Sequence, residues 1–214
     1  METSSTERQE AKQQLRRRLL AARRAVTAEV RAEEAAALAR HVRRLVHADE
    51  TVCAYVPVGA EPGSLELVEA LHAVAARVLL PVVRHDEDGA PAPLQWAEYR
   101  RDNLVRADYG LLEPAPPWLA ADSVADAAVI LVPALAVDRT GVRLGRGAGF
   151  YDRTLPSAAA SALLVAVVRD DELVERLPAE PHDVVMTHAL TPRRGLVPLS
   201  RDDAPARPGP RSAE

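Results

Sequence analysis

Two short apolar runs, Thr51–Val58 (TVCAYVPV) and Arg77–Val83 (RVLLPVV), flank one helical stretch, and this arrangement constrains the fold more than any other feature of the chain. Each run is too short for a helix and rich in β-branched residues, as a strand buried on both faces should be. Between them Gly59, Pro62 and Gly63 mark a turn, and Ser64 can cap a helix running to about Ala76. Strand, helix and strand in that order form a parallel βαβ unit. Val129–Val137 (VILVPALAV) is the most apolar strand candidate, and Leu94–Tyr99, Leu163–Val168 and Val184–Thr187 extend the set. The expectation is an α/β fold, a layered single domain over residues 1–191 with a mostly parallel sheet flanked by helices.

Residues 7 to about 24 read as an amphipathic helix, with Ala11, Leu15, Leu19 and Ala22 on one face and arginines on the other. Thr27 is placed to cap a second helix through about His47. Further helical stretches are expected at Phe150–Leu155, from there to about Ala162, and at Asp171–Leu177. His85–Pro93 reads as a polar loop and Tyr109–Pro117 as an irregular proline-rich segment. From Pro192 onward the density of Pro, Arg and Ser predicts a disordered tail, 192–214, with no readable function.

The 214 residues suffice for one sizeable core. A net charge of −4 disfavours a nucleic-acid partner held by global charge. No apolar stretch is long enough to span a bilayer, and the polar N-terminus lacks a signal-peptide core, so neither membrane attachment nor secretion is expected. The single cysteine, Cys53, sits in an apolar run and reads as a small buried residue, which fits a reducing cytoplasm. Of 27 basic residues only Lys12 is a lysine. It is either a leftover surface residue or a compact charge placed to meet a terminal phosphate.

Chemistry concentrates in Asp138–Arg153 (DRTGVRLGRGAGFYDR), directly after the strongest strand, where parallel sheets bind ligands. Four of the chain's ten glycines lie between 141 and 149. Glycines so spaced let backbone N–H groups approach an anion, and a helix starting beyond them adds its positive end. Arg143 and Arg146 supply forked donors for phosphate or carboxylate, and Asp152 could hold magnesium through oxygen. The segment lacks the Lys-Ser/Thr of a Walker A loop, and Phe150 occupies the third glycine of a dinucleotide fingerprint. The residues alone give an anion-binding loop and no reaction.

The pattern Asp138-x-x-Gly141-x-Arg143-Leu144-Gly145-x-Gly147-x-Gly149-x-Tyr151-Asp152-Arg153 resembles the signature of the 5-formyltetrahydrofolate cyclo-ligase family. Lys12-x-x-x-Arg16, Tyr55 to Glu61, Tyr109-Gly110-x-x-Glu113-Pro114 and Pro181-His182-Asp183 resemble other segments of that family, in the same order. The resemblance implies a NagB/RpiA/CoA-transferase-like fold and the ATP-dependent closure of 5-formyltetrahydrofolate to 5,10-methenyltetrahydrofolate. It further implies Mg2+ with ATP as co-substrate, small-molecule partners only, a monomer or weak dimer, and a cytoplasmic location.

It implies roles as well. Lys12, Arg16, Arg143, Leu144, Gly145, Arg146, Gly147, Ala148, Gly149, Phe150 and Tyr151 would bind ATP, with Arg146 and Tyr151 catalytic. Val56, Glu61, Tyr109, Arg146, Gly147, Ala148, Gly149 and Phe150 would bind the folate, and Asp152 and Asp183 the metal. Family members often carry Gly or Lys where Ala148 stands and Tyr where Phe150 stands. Val137 likewise replaces a usual aromatic, and Thr187-His188 a common Thr-Glu. Two alternatives stay open, a paralogue acting on another substrate and a non-catalytic folate- or nucleotide-binding protein. His182 reads as a local hydrogen-bond partner, and Trp96 and Trp118 as packing residues.

Overall fold

The computed structural model describes residues 2–107, 110, 112–180 and 183–199, with side chains from residue 7. Two helices open the chain, α1 (Glu2–Ala25) and α2 (Ala28–Val42), and Thr27 caps the second by accepting from the Val30 N–H. Then β1 (Thr51–Cys53), α3 (Leu65–His72) and β2 (Arg77–Val82) form the expected βαβ unit, with Ser64 capping α3. β3 (Gln95–Glu98) follows, then a hairpin of β4 (Leu104–Arg106) and β5 (Leu112–Pro114). The second half contains β6 (Ala127–Pro133), β7 (Ala136–Asp138), β8 (Arg143–Leu144), α4 (Phe150–Thr154), β9 (Leu163–Val167), β10 (Leu173–Val174), β11 (His188–Thr191) and β12 (Gly195–Pro198).

The main sheet has seven strands in the order β12-β11-β9-β6-β1-β2-β3. Its interior pairs are parallel, and antiparallel β12 and β3 close the edges. Alternation along the strands splits the core. Val129 and Leu131 of β6 face α2 and α3 through Leu38, Val42, Leu67 and Leu71. Ile130 and Val132 face Trp96, Val124, Leu155 and Val168 on the other side. A sheet covered on both faces explains why its strands read as continuous apolar runs. The chain runs β1-β2-β3 to one side and then crosses to β6 on the other. Such a reversal opens a crevice at the carboxyl ends of β1 and β6, where open α/β sheets bind ligands.

The structure corrects several expected boundaries. Val129–Val137 is two strands in different sheets. Pro133 has no N–H to continue the ladder, and the chain turns so that β7 pairs with β8 and β10. Thr51–Val58 leaves the sheet after Ala54, before Pro57, which leaves Tyr55, Val56 and Val58 to line a cavity. The helices expected to about Ala162 and at Asp171–Leu177 are single 3-10 turns, Leu155–Ser157 and Asp170–Glu172, the first carrying Pro156. The last parallel strand is His188–Thr191 rather than Val184–Thr187, because Met186 and Thr187 hydrogen-bond to Gly141 and Leu164 instead. Tyr109–Pro117 contains β5, paired with a strand the sequence did not suggest.

The ordered chain also passes the expected boundary at 191. β12 pairs antiparallel with β11, Leu199 is buried, and Gly195 takes the left-handed conformation (φ +67°) that the tight turn requires. Residues 200–214 of the expected tail lie outside the described residues. Among the described residues no helix is long and apolar enough to cross a membrane.

A chain ending at Thr191 should melt lower than the full chain by about 5 °C or more, since burial of Leu199 alone contributes about 2 kcal/mol. Calorimetry checks this. An unchanged melting point would show that the last strand adds no stability.

Candidate active site

The glycine segment between β7 and α4 is shaped by a buried carboxylate. Asp138, fully buried, accepts through Oδ1 from Thr140 N and Oγ1 (both 2.8 Å) and from Val142 N (3.0 Å). Through Oδ2 it accepts from Leu177 N (2.9 Å). Four donors to one ionised group fix the tight turn, because charge-assisted bonds in a buried setting are strong. Gly141 completes it. Its φ is +88°, and a Cβ there would lie 2.3 Å from the Met186 carbonyl oxygen.

Beyond the turn, Arg143 is buried and ion-paired with Asp152, its guanidinium 5.7 Å from the centre of the Tyr151 ring. Among the described residues its Nε has no hydrogen-bond partner. Arg146, half exposed, pairs with Glu61 at 3.1 Å. Gly147 lies against Arg16, whose Nε donates to the Gly145 carbonyl at 3.0 Å. Gly149, with φ +80°, leads into α4, which has only five residues. The segment therefore offers an anion backbone N–H groups and guanidinium donors more than a helix dipole.

α1 crosses this loop and carries Lys12, which bonds Glu180 (2.7 Å) and Asp183 (3.1 Å) and is only 5% exposed. Farther along α1, Arg23 forms a forked pair with Glu172 at 2.6 and 2.8 Å and donates to the Ala134 carbonyl at 2.6 Å. Burial opposes the charge on Arg23, but the Glu172 hydrogen bond and charge outweigh it and hold the guanidinium above its ordinary value. Burial, reinforced by Glu61, pushes the Tyr55 and Tyr151 phenols up, so both stay protonated. Burial also raises the Cys53 thiol, which leaves it an unreactive core residue as its apolar surroundings suggested.

Two cavities meet at the loop. One, of about 260 Å3, lies at the carboxyl ends of β2, β1 and β6, with Val56, Pro81, Val83, Leu94 and Leu135 among its apolar walls and Glu61 and Glu113 among its few charges. The other, of about 540 Å3, is polar and lined by Lys12, Arg16, Arg153, Glu180 and Asp183. Arg143, Gly145, Gly147, Gly149 and Asp152 line both, so the loop is the wall between them.

Each described residue expected at the site borders one of these cavities. Lys12, Arg16, Leu144 and Asp183 face the polar one; Val56, Glu61, Arg146, Ala148, Phe150 and Tyr151 face the apolar one. Arg146, Ala148, Phe150 and Tyr151, also expected to bind ATP, line the apolar cavity and not the polar one. Tyr109 and His182 lie outside the described residues. Trp96 is buried packing, as expected, whereas Trp118 is about half exposed beneath the Arg84 guanidinium.

Sequence reasoning missed Arg23, Glu113 and Glu180. Helical spacing from Lys12 and Arg16 could have flagged Arg23, and Glu113 stood unassigned in a quoted motif. Only a three-residue offset from Asp183 pointed to Glu180.

The family model for the 5-formyltetrahydrofolate cyclo-ligase family matches residues 8–192. The chain belongs to this family. A 5-formyltetrahydrofolate cyclo-ligase of Mycolicibacterium smegmatis is 61% identical over 189 residues, covering 88% of this chain and 97% of the relative. The Escherichia coli K12 cyclo-ligase is 30% identical over 145 residues, 67% and 79% of the two chains. The NMR structure of Aquifex aeolicus 5,10-methenyltetrahydrofolate synthetase superposes with a TM-score of 0.71 over 94% of this chain and 99% of that one, at 22% identity. It has the same fold. The α/β architecture expected from the cyclo-ligase resemblance is therefore correct.

Asp138→Ala in this cyclo-ligase scaffold should lose about 3 kcal/mol or more, because it strands several buried donors at once. Denaturant unfolding measures the loss. A cost under about 1 kcal/mol would mean that the turn holds without its carboxylate.

Proposed function

We propose that this protein catalyses the ATP-dependent cyclisation of 5-formyltetrahydrofolate to 5,10-methenyltetrahydrofolate, releasing ADP and phosphate. One observation carries the reading: a single glycine loop separates an apolar slot suited to a flat heterocycle from a polar, cation-lined cavity suited to a triphosphate. A group passed between two ligands at that wall travels only the width of the loop.

The chemistry needs little more than this placement. The formyl oxygen is a poor leaving group until it takes the γ-phosphoryl group from ATP and ADP departs. N10 of the same folate then attacks the activated carbon, the ring closes, and the C–O bond breaks to release phosphate. Both reacting groups of the cyclisation belong to one substrate, so positioning and charge neutralisation account for most of the acceleration.

In this reading Lys12, Arg16 and Arg143 neutralise the nucleotide phosphates. Arg146, exposed at the loop tip, leaves Glu61 to clamp the transferring group. Gly145, Gly147 and Gly149 offer backbone donors. Glu61 accepts N–H donors of the pterin, while Val56, Ala148 and Phe150 cover its faces. Tyr151, kept protonated, donates a hydrogen bond rather than acting as a base.

Asp152 and Asp183 fit a magnesium ion. They border one cavity with Glu180 beside them, yet among the described residues no three ligating side chains form a ready-made cage. That donor set suits an ion bound through one or two carboxylates, waters and substrate phosphates. When bound, the ion would supply charge neutralisation at the phosphates. A cytoplasmic location accords with the buried, unpaired Cys53 and with soluble substrates.

Mixing protein, Mg-ATP and 5-formyltetrahydrofolate should give the near-ultraviolet absorbance of the methenyl bridge only when all three are present. Arg146→Ala and Asp152→Ala should each lower kcat by about 100- to 1,000-fold while leaving the fold intact. Absence of product from folded, ATP-binding protein would remove this reading and favour another acid or formyl substrate.

A further inference from the structure

Arg23 has more hydrogen-bonding capacity than its structural role consumes. Its Nε and Nη2 hold Glu172 and the Ala134 carbonyl, but among the described residues Nη1 has no partner. The side chain is only 2% exposed, yet it lines the apolar cavity and also a neighbouring cavity of about 240 Å3 behind residues 59–64. Glu61 is the other charged residue that lines both. A donor left over on a guanidinium that lines two cavities is open to a ligand in either of them.

Glu61 is already oriented. Its Oε2 accepts from Val58 N at 2.9 Å and its Oε1 faces Arg146 at 3.1 Å. A carboxylate and a guanidinium on the wall of one apolar slot present acceptors beside donors. The edge of a reduced 4-oxopterin carries the complement: a 2-amino group and N3–H as donors, then the C4 carbonyl as acceptor. The N5 substituent lies next to that carbonyl, so this pairing sets the formyl group apart from the 2-amino and N3–H donors that Glu61 would accept.

We propose that Arg23 is a substrate-binding residue whose Nη1 donates to the C4 carbonyl of the pterin, completing with Glu61 a recognition pair specific for a 4-oxopterin edge. This rests on the folate reading of the apolar cavity. Glu172 is then a positioning residue, since its forked pair fixes the plane of the guanidinium and so the direction of Nη1. A lysine in place of Arg23 could not hold Glu172, the Ala134 carbonyl and a ligand carbonyl in one plane.

The test uses full-length protein and 5-formyltetrahydrofolate labelled with carbon-13 at C4. On binding to the unsubstituted protein, isotope-edited infrared spectra should show the C4 carbonyl band below its position in water, as a charged donor requires. Arg23→Met combined with Glu172→Gln removes both buried charges together and so avoids leaving a lone carboxylate. This double variant should bind the folate about 10- to 100-fold more weakly, return the band upward, and bind Mg-ATP as before.

Unchanged folate affinity and band position in the folded double variant would overturn the inference. So would a loss confined to Mg-ATP affinity, which would make Arg23 only an anchor for α1. If the double variant fails to fold, the unsubstituted protein still decides, because a bound band at or above its position in water excludes a guanidinium at C4. Failure of that protein to bind the folate would remove the cavity reading itself, whereas binding without the downshift removes only the role of Arg23.

Discussion

The Asp138 carboxylate holds the site together. It is fully buried at the end of β7 and is satisfied by donors from the turn that follows and from Leu177. Because buried charge is tolerated only when its bonds are made, the turn has one arrangement, and Gly141 is the residue that lets it press against Met186. That arrangement aims Arg143 inward and carries residues 145–149 across the mouth of the sheet. Without it there would be a flexible glycine-rich loop and a single open crevice.

The same loop explains the site's charge balance. The cations suited to phosphate and the carboxylates suited to a metal are paired with each other: Lys12 with Glu180 and Asp183, and Arg143 with Asp152. Arg146 is likewise held by Glu61. A free site built this way carries little uncompensated charge, and under the proposed function a nucleotide and its cation would exchange partners with it rather than enter a bare cluster of like charges. α1 contributes because Lys12, Arg16 and Arg23 fall at four- and seven-residue intervals, on one side of the helix, beside Leu15, Leu19 and Leu20, which pack on Leu135 and Leu144.

Much of this was legible in the amino acids. The βαβ unit followed from two β-branched runs and a capped helix, and the glycine cluster after the most apolar strand pointed to the loop that lines both cavities. Three things were not. Continuous apolarity concealed the break at Pro133, because both sheets it joins are buried and look alike in sequence. The proline- and arginine-rich end concealed β12, since an edge strand with exposed Leu196 carries little apolar alternation. Glu180 and Arg23 were hidden for another reason: charged residues in an arginine-rich chain give no local sign of burial, and only the tertiary fold brings residue 12 to 180 and residue 23 to 172.

In the proposed reaction a phosphoryl group crosses the loop to the formyl oxygen. The most direct measurement places oxygen-18 in the formyl group and follows the phosphate released in one turnover by phosphorus NMR or mass spectrometry. Transfer across the loop predicts that each phosphate carries one labelled oxygen from the formyl group. Unlabelled phosphate, with methenyl product formed, would contradict it, because ATP would then be cleaved by water and the two cavities would not communicate through the loop.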